Sequence, residues 1–244
     1  MEENLRLAFP EKTSVEIKVI TTKFYRHLAD LVVEVIKTLS LSEKELERRV
    51  EFSNLDVPLK YLHSGQSIIV LAGHLCNWEW LLSACTLKGK YPIDAVYKPL
   101  NSKFSDQLMR SIRSKFGANP IAMKDTLRDQ VNKKNIPHGL GMVADQTPMK
   151  SEIQYWTTFF NQDTPYYVGA DKLSKMLNMP VLFVGMKKVK RGYYEVYFKE
   201  IVLNNSDTKE FPITEAYNRI LEEEVRKQPE NWLWSHRRWK HKKV

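Results

Sequence analysis

Two side chains near the middle of the chain, His74 and Glu79, are of types that can move a proton without a metal ion or a covalent nucleophile. They stand five positions apart in Gly73-His74-Leu75-Cys76-Asn77-Trp78-Glu79. On one ideal helix that spacing separates them by about 140° at 3.6 residues per turn. They converge if His74 lies in a turn and Glu79 on the first turn of the next helix. There the carboxylate would bond one imidazole nitrogen, fix the tautomer and stabilise the imidazolium, leaving the other nitrogen free to deprotonate a hydroxyl. The alternative is a structural histidine, hydrogen-bonded inside a core turn.

The flanking sequence supplies such a turn. Ile68 to Leu71 is a short apolar run of the kind that forms a buried strand, and Gly73 frees the backbone to turn. A second strand, residues 90–97, is ended by Pro99, which places Lys98 at the carboxyl edge of a sheet, where α/β sites are built. Asn101 comes two residues after Pro99. A third apolar run, His138 to Ala144, leads into Asp145-Gln146-Thr147-Pro148, where Asp145 is either a substrate contact or a helix cap.

Between these runs lie helical stripes. Ile17, Ile20, Phe24, Leu28, Leu31, Val32, Val35 and Leu39 mark a helix from Ser14, its candidate N-cap, to about Leu39. This helix reads as core-facing, although residues 31–36 carry few polar groups and would also suit a lipid-facing surface. Residues 42–50 form a short helix capped by Ser42 with Glu45 at its third position. A basic helix carries Arg110, Arg113 and Lys115 to near Gly117 and reads as a solvated face, and another short helix covers 124–131. Further along come a helix from Val168 to Asn178, strands at 181–186 and 193–198 and a helix over 214–227. Residues 4–12 read as an irregular lead-in, and the aromatic stretch 155–169 as core packing or, if partly exposed, a lid or acyl-chain wall. Helices alternating with short buried strands predict one α/β domain over residues 1–244, with a mixed central sheet flanked by helices.

Composition narrows the partners. A net charge of +9 calls for nucleic acid, an anionic membrane or an acidic protein. Two cysteines nine positions apart suggest neither a disulfide framework nor a metal site and fit a reducing, cytoplasmic setting. No apolar run is long enough to span a bilayer, and the acidic start is unlike a signal peptide. The tail holds half of the six tryptophans: Trp232, Trp234 and Trp239 are interspersed with Arg237 and Arg238. Such a mixture suits a membrane interface, where indoles sit at headgroup level, or single-stranded nucleic acid. The sequence contains no Gly-x-Ser-x-Gly, P-loop or dinucleotide fingerprint, which argues against serine hydrolases, nucleotidases and dehydrogenases.

Taken together, these segments resemble a known family. Gly73-His74-x4-Glu79 resembles the His-x4-(Asp/Glu) motif of glycerolipid acyltransferases. Its Asn77-Trp78-Glu79 ending is similar to the lipid A biosynthesis branch (lauroyl/myristoyl type), which also contains phosphatidylinositol mannoside acyltransferases. The resemblance continues in order through Asn4-Leu5 to Phe9-Pro10, Tyr97-Lys98-Pro99, where the family usually has Tyr-Arg-Pro, and Arg113-x-x-Phe116-Gly117. It goes on through Asp145-Gln146 to Pro229-Glu230-x-Trp232-x-Trp234-x-His236, with Asn161 standing where glycine is usual.

The resemblance implies the acyltransferase fold with a hydrophobic groove beside a His74/Glu79 dyad. Lys98, Asn101, Arg113, Asp145 and Gln146 would be substrate contacts, and Trp232, Trp234, Arg237, Arg238 and Trp239 membrane or phosphate contacts. His236 would pack or touch a phosphate. No cofactor or metal is implied. The implied reaction moves a fatty acyl chain from a thioester, on acyl carrier protein or coenzyme A, to a hydroxyl of a lipid A precursor or related glycolipid. A lysophospholipid or aminolipid is the second acceptor class. The implied setting is the cytoplasmic face of the inner membrane, held peripherally or by an anchoring helix. In the family such a helix precedes the Asn-Leu-x-x-x-Phe-Pro segment, and the expectation here is of a chain without it. The contrasting reading is a non-catalytic basic module that binds membranes or nucleic acid through its tail.

Overall fold

The computed structural model describes residues 1–203 and 209–243. The chain runs through α1 (Glu2–Ala8), α2 (Ser14–Lys37), α3 (Glu43–Arg49), β1 (Val50–Phe52), α4 (Asp56–His63) and β2 (Ile68–Ala72). It continues with α5 (Trp78–Gly89), β3 (Ile93–Tyr97), α6 (Lys103–Ser114), β4 (Asn119–Ala122), α7 (Thr126–Asn132) and β5 (Gly139–Val143). The remaining elements are β6 (Tyr155–Phe159), β7 (Gln162–Tyr166), α8 (Gly169–Leu177), β8 (Val181–Lys190), β9 (Tyr193–Glu200) and α9 (Pro212–Lys227).

Seven strands form one sheet in the order β1-β9-β8-β2-β5-β3-β4. β8, β2, β5, β3 and β4 are parallel, whereas β9 runs antiparallel to β8 and β1 pairs parallel to β9. The sheet is therefore mixed and flanked by helices, as the alternation of signals predicts. Its central strand β2 keeps Ile68, Ile69 and Leu71 buried, which is why this run is apolar without alternation.

The register of the central strands positions the side chains at the carboxyl edge. β2 pairs with β5 from Ile68 opposite Gly139 to Ala72 opposite Val143. The same offset of 71 residues, carried two positions further, sets His74 beside Asp145. β5 also pairs with β3, so the residues after β2, β5 and β3 emerge together at the carboxyl edge of the sheet. α9 closes over that edge, and the Tyr217 hydroxyl donates to the Ala72 carbonyl at 2.8 Å.

Several local expectations change. The lead-in is a helix, α1, with Leu5 and Ala8 fully buried. The N-cap of α2 is Thr13 rather than Ser14, because Thr13 and Glu16 complete a reciprocal capping box with bonds of 2.8 and 3.3 Å. Ser42 caps α3 as expected. Residues 155–166 form an antiparallel hairpin of β6 and β7. Its two turn residues, Phe160 and Asn161, have φ of 49° and 58°; asparagine tolerates this left-handed region, so the turn forms without glycine. Phe159 and Phe160 are fully buried against Trp232 and Trp234, so this end of the aromatic stretch is core, whereas Tyr155, Trp156 and Tyr167 are half-buried.

Candidate active site

The turn between β2 and α5 carries His74, and each of its neighbours has a packing role. A Cβ on Gly73 would lie 2.5 Å from Leu221 Cδ1 and 3.4 Å from Asp145 Oδ2. Glycine therefore gives room for α9 and for the carboxylate; Gly73 is not among the positive-φ residues. Asn77 caps α5 by accepting from the Trp80 N–H at 2.9 Å. Cys76 takes a left-handed φ of 56°, stabilised by its N–H bonding the Asn231 carbonyl at 2.9 Å. Burial pushes the Cys76 thiol well up and the Cys85 thiol up to about 12, so neither supplies a thiolate.

Asp145 meets this turn from the end of β5. Its Oδ2 accepts from the His74 backbone N–H at 2.8 Å and from the Trp232 indole N–H at 2.7 Å. Its Oδ1 lies 2.5 Å from His74 Nδ1. Burial raises the energy of the Asp145 carboxylate, but the His74 charge, its hydrogen bond and the Trp232 N–H together hold the carboxyl below its ordinary range. With Nδ1–H given to Asp145, His74 Nε2 is the free acceptor, 3.2 Å from the Gln146 amide nitrogen, which donates to it. The Asp145 side chain is 1% exposed and that of His74 17%, so the pair is rooted in the core with the imidazole partly exposed.

Glu79 stands on the first turn of α5, as expected, but it does not orient His74. Its oxygens are taken by Arg113 of α6, with Nε donating to Oε2 at 2.9 Å and Nη2 to Oε1 at 2.6 Å. A buried carboxylate is best matched by the two-pronged guanidinium, whereas the single His74 Nδ1–H is already spent on Asp145. Burial works against the Arg113 charge, yet the Glu79 bonds outweigh it and leave the guanidinium above its ordinary value. The pair staples α5 to α6, and Arg113 accordingly points at Glu79 rather than outward to a substrate.

Lys98 and Asn101 are exposed just past the end of β3. They share the carboxyl edge with His74 but lie two strands away, about 10 Å by strand spacing. Of the expected substrate contacts, the fold therefore brings Asp145 and Gln146 onto His74, leaves Lys98 and Asn101 at the rim and turns Arg113 aside. A groove of about 600 Å³ runs along α6 from Pro99 to Ser114, lined by Lys103, Asp106, Gln107 and Arg110. Its lining is mixed rather than hydrophobic. Among the described residues no three His, Cys, Asp or Glu side chains are grouped so as to hold a metal ion.

The tail also departs from expectation. Trp232, Trp234, Arg238 and Trp239 are 2%, 0%, 0% and 7% exposed, so these four make no membrane contact; only Arg237 of the five is exposed. The indoles bury large apolar faces together and still find partners for their N–H groups. Trp234 donates to the Pro229 carbonyl at 2.5 Å and Trp239 to Thr164 at 2.8 Å. The Arg238 guanidinium stacks on Tyr166 at 4.4 Å and donates to the Pro165 carbonyl at 2.9 Å. His236 Nε2 accepts the Thr147 N–H at 3.0 Å; burial and the Arg238 charge lower this histidine to about 4, keeping it neutral for that bond. The tail thus braces both halves of the site. Leu75 bridges to Trp232 and the Leu233 N–H bonds the His74 carbonyl on one side, while Trp232 and His236 hold residues 145–147 on the other.

A family model described as bacterial lipid A biosynthesis acyltransferase matches residues 1–241. The chain belongs to that family. Among its curated relatives, a lipid A biosynthesis palmitoleoyltransferase of Escherichia coli is 23% identical, the match covering 99% of this chain and 78% of the relative. A lipid A biosynthesis acyltransferase of Haemophilus influenzae is 22% identical over 96% of this chain and 72% of its own length. A lipid A biosynthesis acyltransferase 2 of Shigella flexneri is 21% identical over 95% and 74%. This protein is an acyltransferase of lipid A biosynthesis, and the reading as a non-catalytic binding module falls away.

Sequence reasoning misses the place of Trp232 beside His74 and Asp145, because its surroundings read as an interfacial segment. It also assigns Asp145 as a substrate contact rather than as the partner of His74. The signal for that partnership lies in the two apolar runs that precede them, since both histidine and aspartate come two residues after the end of a central strand.

Proposed function

We propose that His74 is the general base, held by Asp145, in transfer of a fatty acyl chain from a thioester to a hydroxyl of a lipid A precursor or closely related glycolipid. The observation that carries this reading is the 2.5 Å contact of His74 Nδ1 with a buried Asp145, which leaves Nε2 as the acceptor, facing the Gln146 amide. In the forward step, Nε2 takes the proton of the acceptor hydroxyl while its oxygen attacks the thioester carbonyl. The imidazolium so formed faces an ionised Asp145, and this lowers the barrier. The tetrahedral oxyanion then collapses, the carbon–sulfur bond breaks and His74 returns the proton to the departing thiolate. The products are an ester and a free thiol.

Gln146 sits where the acceptor hydroxyl must approach, so it hands Nε2 over to the substrate and can orient it. Lys98 and the free N–H groups at the start of α5 are the candidate partners of the oxyanion. The net charge of +9 suits an anionic donor, and the family resemblance favours acyl carrier protein, with coenzyme A as the second candidate. The acceptor lies in a membrane, and we place the enzyme on the cytoplasmic face of the inner membrane.

The test combines lipid mass spectrometry with assay of the purified enzyme. A strain lacking the protein should accumulate a lipid A species short of one acyl chain, restored by wild type and not by His74→Ala. Purified wild type should transfer the chain from acyl carrier protein, with His74→Ala slower by about 10²–10⁴-fold, the usual contribution of a general base. Equal rates for the two proteins would remove His74 from the chemistry.

A further inference from the structure

We propose that the outward face of α2 is a docking surface for an anionic lipid bilayer, with the helix lying in the plane of the headgroups. The proposal rests on the reading of the acceptor as a membrane glycolipid and adds the face that meets the membrane.

The inner face of α2 packs into the core. Ile17, Ile20, Phe24 and Leu31 are buried in the core. Glu34 accepts from Asn77 at 2.8 Å and from the Tyr194 hydroxyl at 2.7 Å, and Asp30 pairs with Lys188 at 3.2 Å and Arg191 at 2.8 Å. The outer face is unlike that of a solvated helix. Val15, Val19, Val32, Val33 and Ile36 are 74%, 49%, 53%, 65% and 58% exposed. From residue 29 to residue 36 both acids are spent on those internal partners, so this stretch offers solvent almost nothing but alanine, valine and isoleucine.

The charges on the outer face select the occupant. Lys18, Lys23, Arg26 and Lys37 are exposed, without a salt-bridge partner among the described residues, and Glu16 is the one exposed acid along the helix. An apolar stripe flanked by cations on a single long helix is the pattern that sinks into the headgroup region of anionic bilayers. No helix among the described residues is long and apolar enough to cross a membrane, so this face would lie on the bilayer. The same helix anchors Asn77, three residues beyond His74, so docking would bring the active site to the lipid surface.

Flotation with vesicles tests this. The probes are vesicles of phosphatidylethanolamine and phosphatidylglycerol, or of phosphatidylcholine alone, with the full chain. Wild type should float with the anionic vesicles, weakly with phosphatidylcholine, and less at high salt. The double variant Val33→Asp/Ile36→Asp and the charge reversal Lys18→Glu/Lys23→Glu should each lower partitioning at least tenfold. Ile136→Asp, at an exposed position near the opposite, amino edge of the sheet, should float like wild type. Transfer to acceptor dispersed in detergent should stay within twofold of wild type in both docking variants, while transfer to acceptor embedded in vesicles falls. A wild type that does not float, variants that float as well as wild type, or variants that lose only a homodimer would overturn the proposal. Absence of transfer by wild type in detergent, with flotation intact, would instead count against the acyl-transfer reading.

Discussion

At the scale of single residues, the site rests on a carboxylate that three N–H groups keep ionised while it is out of water. One of those donors is the indole of Trp232, 2.7 Å from Asp145 Oδ2. Trp232→Phe keeps an aromatic ring in the cluster and removes only the donor, so Asp145 should titrate higher. The proposed mechanism needs this carboxylate ionised, so the acid limb of kcat/KM against pH should move to higher pH, and kcat should fall by about tenfold, the worth of one charge-assisted hydrogen bond. A purely structural tryptophan would lower the melting temperature and leave the limb where it was. The tail residues show why this role was not legible beforehand. Tryptophan, arginine and histidine in close succession look alike whether they face lipid or pack inward, and only the strand and hairpin brought against them decide. For Arg238, burial over Tyr166 decided it.

At the scale of elements, segments with a stripe, a cap or an unbroken apolar run were readable, and the shortest strands were not. The stripe of α2 announces itself because its burial repeats over about six turns, and β2 and β5 because each is an unbroken apolar run. β1 and β4, with three and four residues, have too few positions to show a pattern, and α4 carries a proline in its first turn. The contact between α9 and the turn after β2 was equally invisible, since it joins Gly73 to Leu221 across the fold. Gly73→Ala puts a methyl group 2.5 Å from the fully buried Leu221 and close to Asp145. We expect a loss of about 1–3 kcal/mol in chemical denaturation, the usual cost of overpacking, with a fall in activity. Adding Leu221→Ala should recover part of that loss, so the two changes will be less costly together than their sum. Additive losses would show that Gly73 acts through the backbone alone.

At the scale of the whole molecule, two buried histidines tie stability to pH. Burial and nearby cations lower both His27 and His236 to about 4 from an ordinary 6.5. The unfolded chain binds these protons first, so their contribution is full above about 6.5 and is lost as pH falls towards 4. For His27, the more deeply buried, this amounts to on the order of 3 kcal/mol. Urea midpoints should therefore drop steeply between pH 6.5 and 4, and His27→Gln should flatten part of that slope; an unchanged slope would show that His27 is not the group responsible. Long-range register governs the proposed catalytic pair as well. The local spacing from His74 to Glu79 is present, yet the carboxylate that reaches His74 is supplied from 71 residues away by the parallel pairing of β2 and β5. The most direct test compares kcat for Asp145→Asn and Glu79→Gln under conditions where both are fully folded. We predict that Asp145→Asn loses about 10²-fold or more, as an orienting carboxylate should, while Glu79→Gln loses mainly thermal stability through the Arg113 staple. A Glu79→Gln enzyme as inactive as His74→Ala, beside an Asp145→Asn enzyme close to wild type, would contradict the assignment of Asp145 as the partner of His74.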